Sequence, residues 1–335
     1  MIARYAIPFF FIMGFFVIPL VLFLLSRWLL PRRYGKKAGF VLAAVVLALA
    51  GYGVTCGFES LEVRQVEYAS ADLPKSFDGY RIVQFSDAHV GTLGGRHSWM
   101  LRRMVDSINA QHADVIVFTG DLQNLSPSDL EDKIAELSRL KAPDGVYSIL
   151  GNHDYEIYTD TDEETRKKDD LRTQELERQM GWSLLMNEYR IVRRNADSIV
   201  IAGMENWGRA KRMPRRGDVG RTLAGLHCRQ SADSREPFIL MLQHDPTAWR
   251  KKILPECHAQ LTLSGHTHGG QFSLFGWSPV SMTYHEWGGM YYEGDRALHV
   301  SVGVGGLIPF RLGMPGEIVV ITLKSKSSFK NINSK

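Results

Sequence analysis

The chain opens with two uncharged apolar runs. Residues 5–26 are dominated by Phe, Ile, Val and Leu, and residues 38–57 form a second run richer in Ala and Val. About 20 apolar residues cross a hydrocarbon core as a helix, so the pair predicts a transmembrane hairpin occupying residues 1–60. A secretory signal has a shorter apolar core, and no cleavage site separates the two runs. Beyond residue 60 the period changes. Residues 61–76 alternate apolar and polar, the pattern of a half-exposed edge strand. Residues 81–85, 114–118, 146–150, 238–242 and 259–263 are short apolar runs that read as buried strands. Residues 98–110 carry Met100, Leu101, Met104, Val105 and Ile108 at helical spacing, and 127–140 read as an amphipathic helix opened by Ser126-Pro127. Residues 184–192 and 198–202 read as paired strands, and 297–302 and 317–323 as closing strands. This strand–helix alternation predicts an α/β domain with crossover connections over 61–323. The charged stretch 161–180 reads as a solvated surface helix, and 324–335 as a flexible tail.

Charge separates the two parts. Of 40 Lys/Arg and 36 Asp/Glu in the 335 residues, six basic residues and only Glu59 fall in the first 60. The remaining 34 basic and 35 acidic residues leave the domain near neutrality, so no nucleic acid is expected as a partner. Five of the basic residues, Arg27, Arg32, Arg33, Lys36 and Lys37, lie around the short link between the spans. Positively charged short loops stay in the cytoplasm, which sends the domain after residue 60 to the extracytoplasmic side of the cell membrane. Three cysteines, Cys56, Cys228 and Cys257, make no CxxC pair. A Cys228–Cys257 bridge is open only to a domain outside the cytoplasm, and three thiols set no framework.

The chemistry lies just past the strands. Asp87 and His89 follow the first apolar strand run, Asp121 the next and Asn152 the third. His244 follows 238–242, and His266 and His268 follow 259–263. Carboxylate oxygen and imidazole nitrogen suit hard and borderline cations such as Mn, Fe or Zn, and no cysteine is near to favour a thiolate site. Asp87 and His89, two apart on an extended segment, point one way and can chelate one ion. His266 and His268 repeat that spacing, Asp121 can bridge two ions, and Asn152 adds a neutral oxygen. Gly120, Gly151 and Gly265 each precede a ligand where the backbone must turn tightly. Two divalent or trivalent ions about 3.5–4 Å apart suit hydrolysis of a phosphoester by a hydroxide bridging them. His153 stands beside a ligand as candidate proton donor, with Asp154 near enough to orient it. The basic segment 209–221, with Arg212 and Arg215, reads as a solvated loop or a receiver of an anionic substrate or lipid headgroup.

Together, Asp87-Ala88-His89, Gly120-Asp121, Gly151-Asn152-His153-Asp154, His244 and Gly265-His266-Thr267-His268 resemble the signature of the calcineurin-like metallophosphoesterase superfamily. Phe77 to Asp87 and Gly265 to Gln271 resemble its bacterial membrane-associated branch. The resemblance implies two mixed β-sheets packed as a sandwich and flanked by helices. It implies one ion at Asp87, His89 and His268, a second at Asn152, His244 and His266, and Asp121 bridging, with His153 as catalytic acid. Many members carry a second acidic residue three positions after the bridging Asp. Asn124 stands there instead, accepting from the histidine through its amide oxygen but bringing no charge. The Tyr ligand of purple acid phosphatases is absent, since Asn124 and Leu125 occupy that region. A phosphoester substrate is implied, and an extracytoplasmic domain suits lipid phosphates, cell-wall polymers or extracellular nucleotides, so a lipid- or cell-envelope-linked phosphoester is expected. The alternatives are a cytoplasm-facing UDP-diacylglucosamine-type pyrophosphatase and a metal-binding scaffold.

Overall fold

A computed structural model describes residues 8–226 and 237–326. His227, Cys228 and residues 327–335 therefore lie outside the described residues. The two apolar runs form helices, Pro8–Leu29 and Arg32–Gly57. Pro31 sets the break between them: Leu30 before it is extended, the conformation that proline imposes on its predecessor. Their outward faces expose Phe16, Leu24, Phe40 and Val41, a surface matched to hydrocarbon rather than water. The hydroxyls of Ser26 and Thr55 bond back to Leu22 O and Gly51 O at 2.7 Å, so neither enters that environment unsatisfied.

The domain is a sandwich of two six-stranded sheets. The strands are β1 Leu61–Ser70, β2 Arg81–Phe85, β3 Val115–Phe118, β4 Val146–Ser148, β5 Ser183–Leu184 and β6 Glu188–Arg194. They continue with β7 Asp197–Gly203, β8 Phe238–Leu242, β9 Leu261–Ser264, β10 Gly289–Glu293, β11 Arg296–Val300 and β12 Gly316–Ser325. The first sheet runs β1-β12-β2-β3-β4-β5 and the second β10-β11-β9-β8-β7-β6. In the first, β2 through β5 are parallel, with β12 antiparallel to β2; in the second, β7, β8, β9 and β11 are parallel. Alternation along the strands builds the layers. Val115, Val117, Val319 and Ile321 face the second sheet's Ile199, Ile201, Leu240 and Leu263. Ile116, Phe118, Ile318 and Val320 turn the other way, onto Leu101, Met104, Val105 and Ile108 of the Ser98–Asn109 helix. β2, β3 and β4 on one sheet and β8 and β9 on the other therefore end together, and their loops meet.

Three expectations need correcting. The 127–140 segment is not one helix: Pro127–Asp129 and Ile134–Leu137 are separate single turns. Asp129 Oδ2 accepts from the backbone N–H groups of Asn124, Leu125 and Ser126, a local competitor to helical bonding. The strand expected over 184–192 splits at Asn187, whose φ of 54° turns the chain from the edge of one sheet to the edge of the other. Finally, the charged stretch 161–180 forms the helix Glu163–Gln179, but its face is not simply solvated. It buries Asp170, Thr173, Leu176 and Glu177 against the domain.

Candidate metal centre

Each candidate ligand sits two to four residues past a strand, where the loops lock onto one another. Asp87 N–H donates to Gly120 O at 2.9 Å, His89 N–H to Asp121 O at 3.2 Å, and Gly265 N–H to His244 O at 3.0 Å. His153 N–H donates to Asp121 Oδ1 at 2.8 Å, and His266 N–H reaches both Asp87 oxygens at 3.0 Å. The local backbone is not the extended segment that the Asp-x-His spacing implies. Asp87, His89, Asp121, His266 and His268 have φ of 52°, 42°, 62°, 74° and 53°. Left-handed non-glycine residues cost roughly 1–3 kcal/mol each and persist where surroundings over-determine them. Here that strain turns five polar side chains toward one point. Gly151 and Gly265 are needed for close approach: a Cβ would stand 2.2 Å from Asp121 Oδ1 at the first, and 1.9 Å from Ser86 Oγ at the second.

The donor atoms form two overlapping groups, Asp87, His89, Asp121 and His268, and Asp121, His244 and His266. Asp121 belongs to both. His89 Nε2 is 3.2 Å from His268 Nε2 and 3.8 Å from Asp121 Oδ2; His268 Nε2 is 3.3 Å from Asp87 Oδ1. His244 Nε2 is 3.2 Å from Asp121 Oδ2 and 3.3 Å from His266 Nδ1. Tautomers are fixed from behind. His89 Nδ1 must donate to Gln123 O and His244 Nδ1 to Thr119 O, because a carbonyl only accepts. Each ring then turns its Nε2 toward Asp121 Oδ2, an arrangement that calls for positive charge between them, as a proton or as a metal ion. Asn152 completes the set: Tyr158 holds its amide nitrogen at 2.8 Å, leaving its buried oxygen without a protein partner. These residues fit metal binding, including the carbonyl-backed imidazoles typical of metal sites.

Electrostatics agree. Without cations, burial and then the neighbouring His153 push His89 down to about 3. Burial also pushes Asp87 up to about 7. Burial opposes charge on His244, yet Asp121 beside it drives it up to about 10. Asp121 is held well below the usual carboxylate range by His244, His153 and His89 despite its burial. Buried carboxylates facing imidazoles demand positive charge, as protons or as metal.

The residues around the ligands differ from expectation in two respects. Asp154 does not orient His153. Its Oδ2 accepts from the N–H groups of Asp121 and Gly151 at 2.8 Å, and its Oδ1 from Leu122 at 2.9 Å and Gln123 at 3.1 Å. It therefore staples the Asp121 loop to the Asn152 loop. His153 is oriented instead by the backbone carbonyl of Asn124, 2.7 Å from Nδ1. The Asn124 side chain turns away and donates to Thr92 Oγ1, so the missing acidic side chain leaves the imidazole positioned all the same. Behind this, Thr173 of the Glu163–Gln179 helix donates to Gln123 Oε1 at 3.0 Å, and Gln123 Nε2 bonds Glu156.

The basic segment divides. Arg215 is spent on its own loop, donating to Gly208 O and Arg209 O and lying over Trp207. Arg212 is exposed, and its charge partly offsets the rise that burial imposes on two phenols, Tyr158 and Tyr284. Sequence reasoning missed both. Tyr158 stacks on His153 with ring centroids 4.3 Å apart, and Tyr284 Oη lies 2.8 Å from His266 Nε2. Each is a lone aromatic in an irregular loop, so nothing in the local pattern marks it.

A family model for calcineurin-like phosphoesterases matches residues 80–270. The chain belongs to this family. As a calcineurin-like metallophosphoesterase it is a hydrolase acting on phosphoesters, and the matched region contains every candidate ligand. A metallophosphoesterase of Bacillus subtilis, YkuE, is 32% identical over 299 residues, covering 86% of this chain and 94% of that one. A transmembrane protein with metallophosphoesterase domain from Danio rerio is 33% identical over 293 residues, covering 85% of this chain. Its counterpart from Bos taurus is 28% identical over 288 residues. The chain spans 62% and 61% of the length of these last two. With its two apolar helices, this metallophosphoesterase is a membrane protein.

Proposed function

We propose that this phosphoesterase is anchored by its N-terminal hairpin and works with two metal ions. Asp87, His89 and His268 hold one, Asn152, His244 and His266 the other, and Asp121 both. The observation that carries this reading is the pair of imidazoles, His89 and His244, each backed by a carbonyl at Nδ1 and each turning Nε2 toward Asp121 Oδ2. When bound, the ions acidify water for attack and neutralise phosphoryl oxygens. The remaining work falls to the chain. His153 has its Nδ1 committed to Asn124 O, which leaves Nε2 to protonate a leaving oxygen. Tyr158 and Tyr284 wall the site and fix Asn152 and His266, and Arg212 at the rim draws in the anionic substrate. Asp154 keeps the two ligand loops in register. The basic link between the helices supports an extracytoplasmic position for the domain, where it would face lipid- or envelope-linked phosphoesters.

The test is hydrolysis of an aryl phosphoester by the purified full-length protein. Asp121→Ala and His266→Ala should each abolish it while the protein remains folded by circular dichroism. Retained turnover in either variant refutes the assignment.

A further inference from the structure

A cavity of about 580 Å³ lies between the hairpin and the domain, within the roughly 300–1,000 Å³ range of small-molecule sites. Phe10, Met13, Phe15 and Ile18 of the first helix and Val46 and Leu49 of the second form its membrane wall. Gly270, Phe272, Ile308 and Leu312 close it from the domain. Gln271 is the one polar side chain in the lining, and its amide nitrogen is already spent on Ile308 O and Phe310 O. An apolar space with no polar demand selects a hydrocarbon occupant.

Position narrows the choice. Val46 stands eleven residues before the domain end of its helix at Gly57, about 16 Å at 1.5 Å per residue. One leaflet of bilayer hydrocarbon is about 15 Å thick, so Val46 in the lining lies about one leaflet's depth from the domain, within the span of one extended acyl chain. The hairpin is docked firmly enough to keep this space open. Arg311 N–H donates to Gly53 O at 2.9 Å, and Phe10 packs on Phe310 with ring centroids 4.8 Å apart. The cavity also shares backbone with the metal centre. In the turn His268–Gln271, His268 faces the ligand cluster and Gly270 and Gln271 face the cavity. The segment that follows exposes Leu274, Phe275, Trp277 and Met282 before reaching Tyr284 on His266. Aromatic and apolar side chains in that setting suit a membrane interface.

We infer that the substrate is a lipid phosphoester whose hydrocarbon chain occupies the cavity between the hairpin and the domain while its phosphoryl group enters the metal centre. This inference rests on the phosphoesterase reading given above. Chain entry from the bilayer leaves the ester at the headgroup level, where the exposed loop and Arg212 meet it.

The test uses full-length protein in detergent, an aryl phosphoester as reporter, and hexadecylphosphonate against methylphosphonate as inhibitors. Gly14→Phe projects into the cavity from a lining position where a Cβ meets no atom within 4 Å, and Val46→Phe fills it from the other helix. In the wild type the long chain should inhibit far more tightly than the short one. Both variants should lose about tenfold of that advantage, the worth of roughly two buried methylene contacts, with aryl turnover unchanged within about twofold. An absent chain-length advantage in the wild type, or one that survives both substitutions, overturns the inference. If the metal-loaded wild type does not turn over the aryl ester, the phosphoesterase reading itself fails.

Discussion

Asp154 is the residue whose role the structure most changes, and Asp154→Asn separates the two roles. The substitution keeps shape and replaces one oxygen by an NH2 group. Each oxygen accepts from two backbone N–H groups, so two buried donors lose their acceptor and face another donor. Each costs about 1–3 kcal/mol, or roughly 2–6 kcal/mol together. Part is recovered, because burial and then the neighbouring Asp121 push the Asp154 carboxyl up to about 7, and the amide removes that buried charge. A net loss of about 3 kcal/mol lowers the melting temperature of a domain this size by roughly 6–12 °C. The loosened Asp121 loop should also weaken metal binding about 10–100-fold, as loss of a support behind a ligand does. Thermal unfolding of the metal-free protein and calorimetric metal titration read the two effects. An unchanged melting temperature and metal affinity, with only kcat reduced, would refute the staple and return Asp154 to orienting His153.

Asn124→Ala should leave kcat within about threefold of wild type, because the backbone carbonyl orients His153 and survives the change; a hundredfold loss contradicts this. His299 makes stability pH-dependent. It is buried, donates from Nδ1 to Gln84 Oε1 at 2.8 Å, and burial pushes it down to about 4. The unfolded chain binds its proton near pH 6.5, so the stabilisation is complete above that value and is lost as pH falls toward 4. The loss is about 3 kcal/mol. Urea unfolding at pH 7 and pH 4.5 should show an acid loss about 2–3 kcal/mol smaller in His299→Gln than in the wild type; an identical acid loss in the variant rules His299 out. Arg311→Met should destabilise the domain by about 3–5 kcal/mol. The buried guanidinium donates to the carbonyls of Val302, Gly303, Gly305, Met314 and Pro315, and an unchanged urea midpoint contradicts that role.

What the sequence made legible is what local pattern encodes. Short apolar runs stood directly before the Asp, Asn and His residues, so the strands and the ligands they deliver could be read together. The hairpin followed from length and absence of charge alone. What stayed hidden depends on parts distant in the chain. Asp154 looked like a partner for its neighbour because only the meeting of the 119–124 and 150–154 loops brings four N–H groups to its carboxylate. The left-handed backbone at Asp87, His89 and His266 is imposed by contacts between loops, and no residue preference announces it. Thr173, Leu176 and Glu177 read as part of a charged surface helix because burial of a polar face needs Gln123 and Ser148 opposite it. Tyr158, Tyr284 and Arg311 stand singly in irregular segments without periodicity or motif, so only the fold assigns them a place. β10 went unread for the same reason, lying between turns with two glycines at its start.

Metal content decides the matter most directly. Elemental analysis of full-length protein, purified without chelator and exchanged into metal-free buffer, should give close to two transition-metal ions per chain. Asp121→Ala should give markedly fewer, because both donor groups share that carboxylate. A wild-type protein that holds none after incubation with manganese, iron or zinc, or an Asp121→Ala variant that keeps both ions, contradicts the shared two-metal centre.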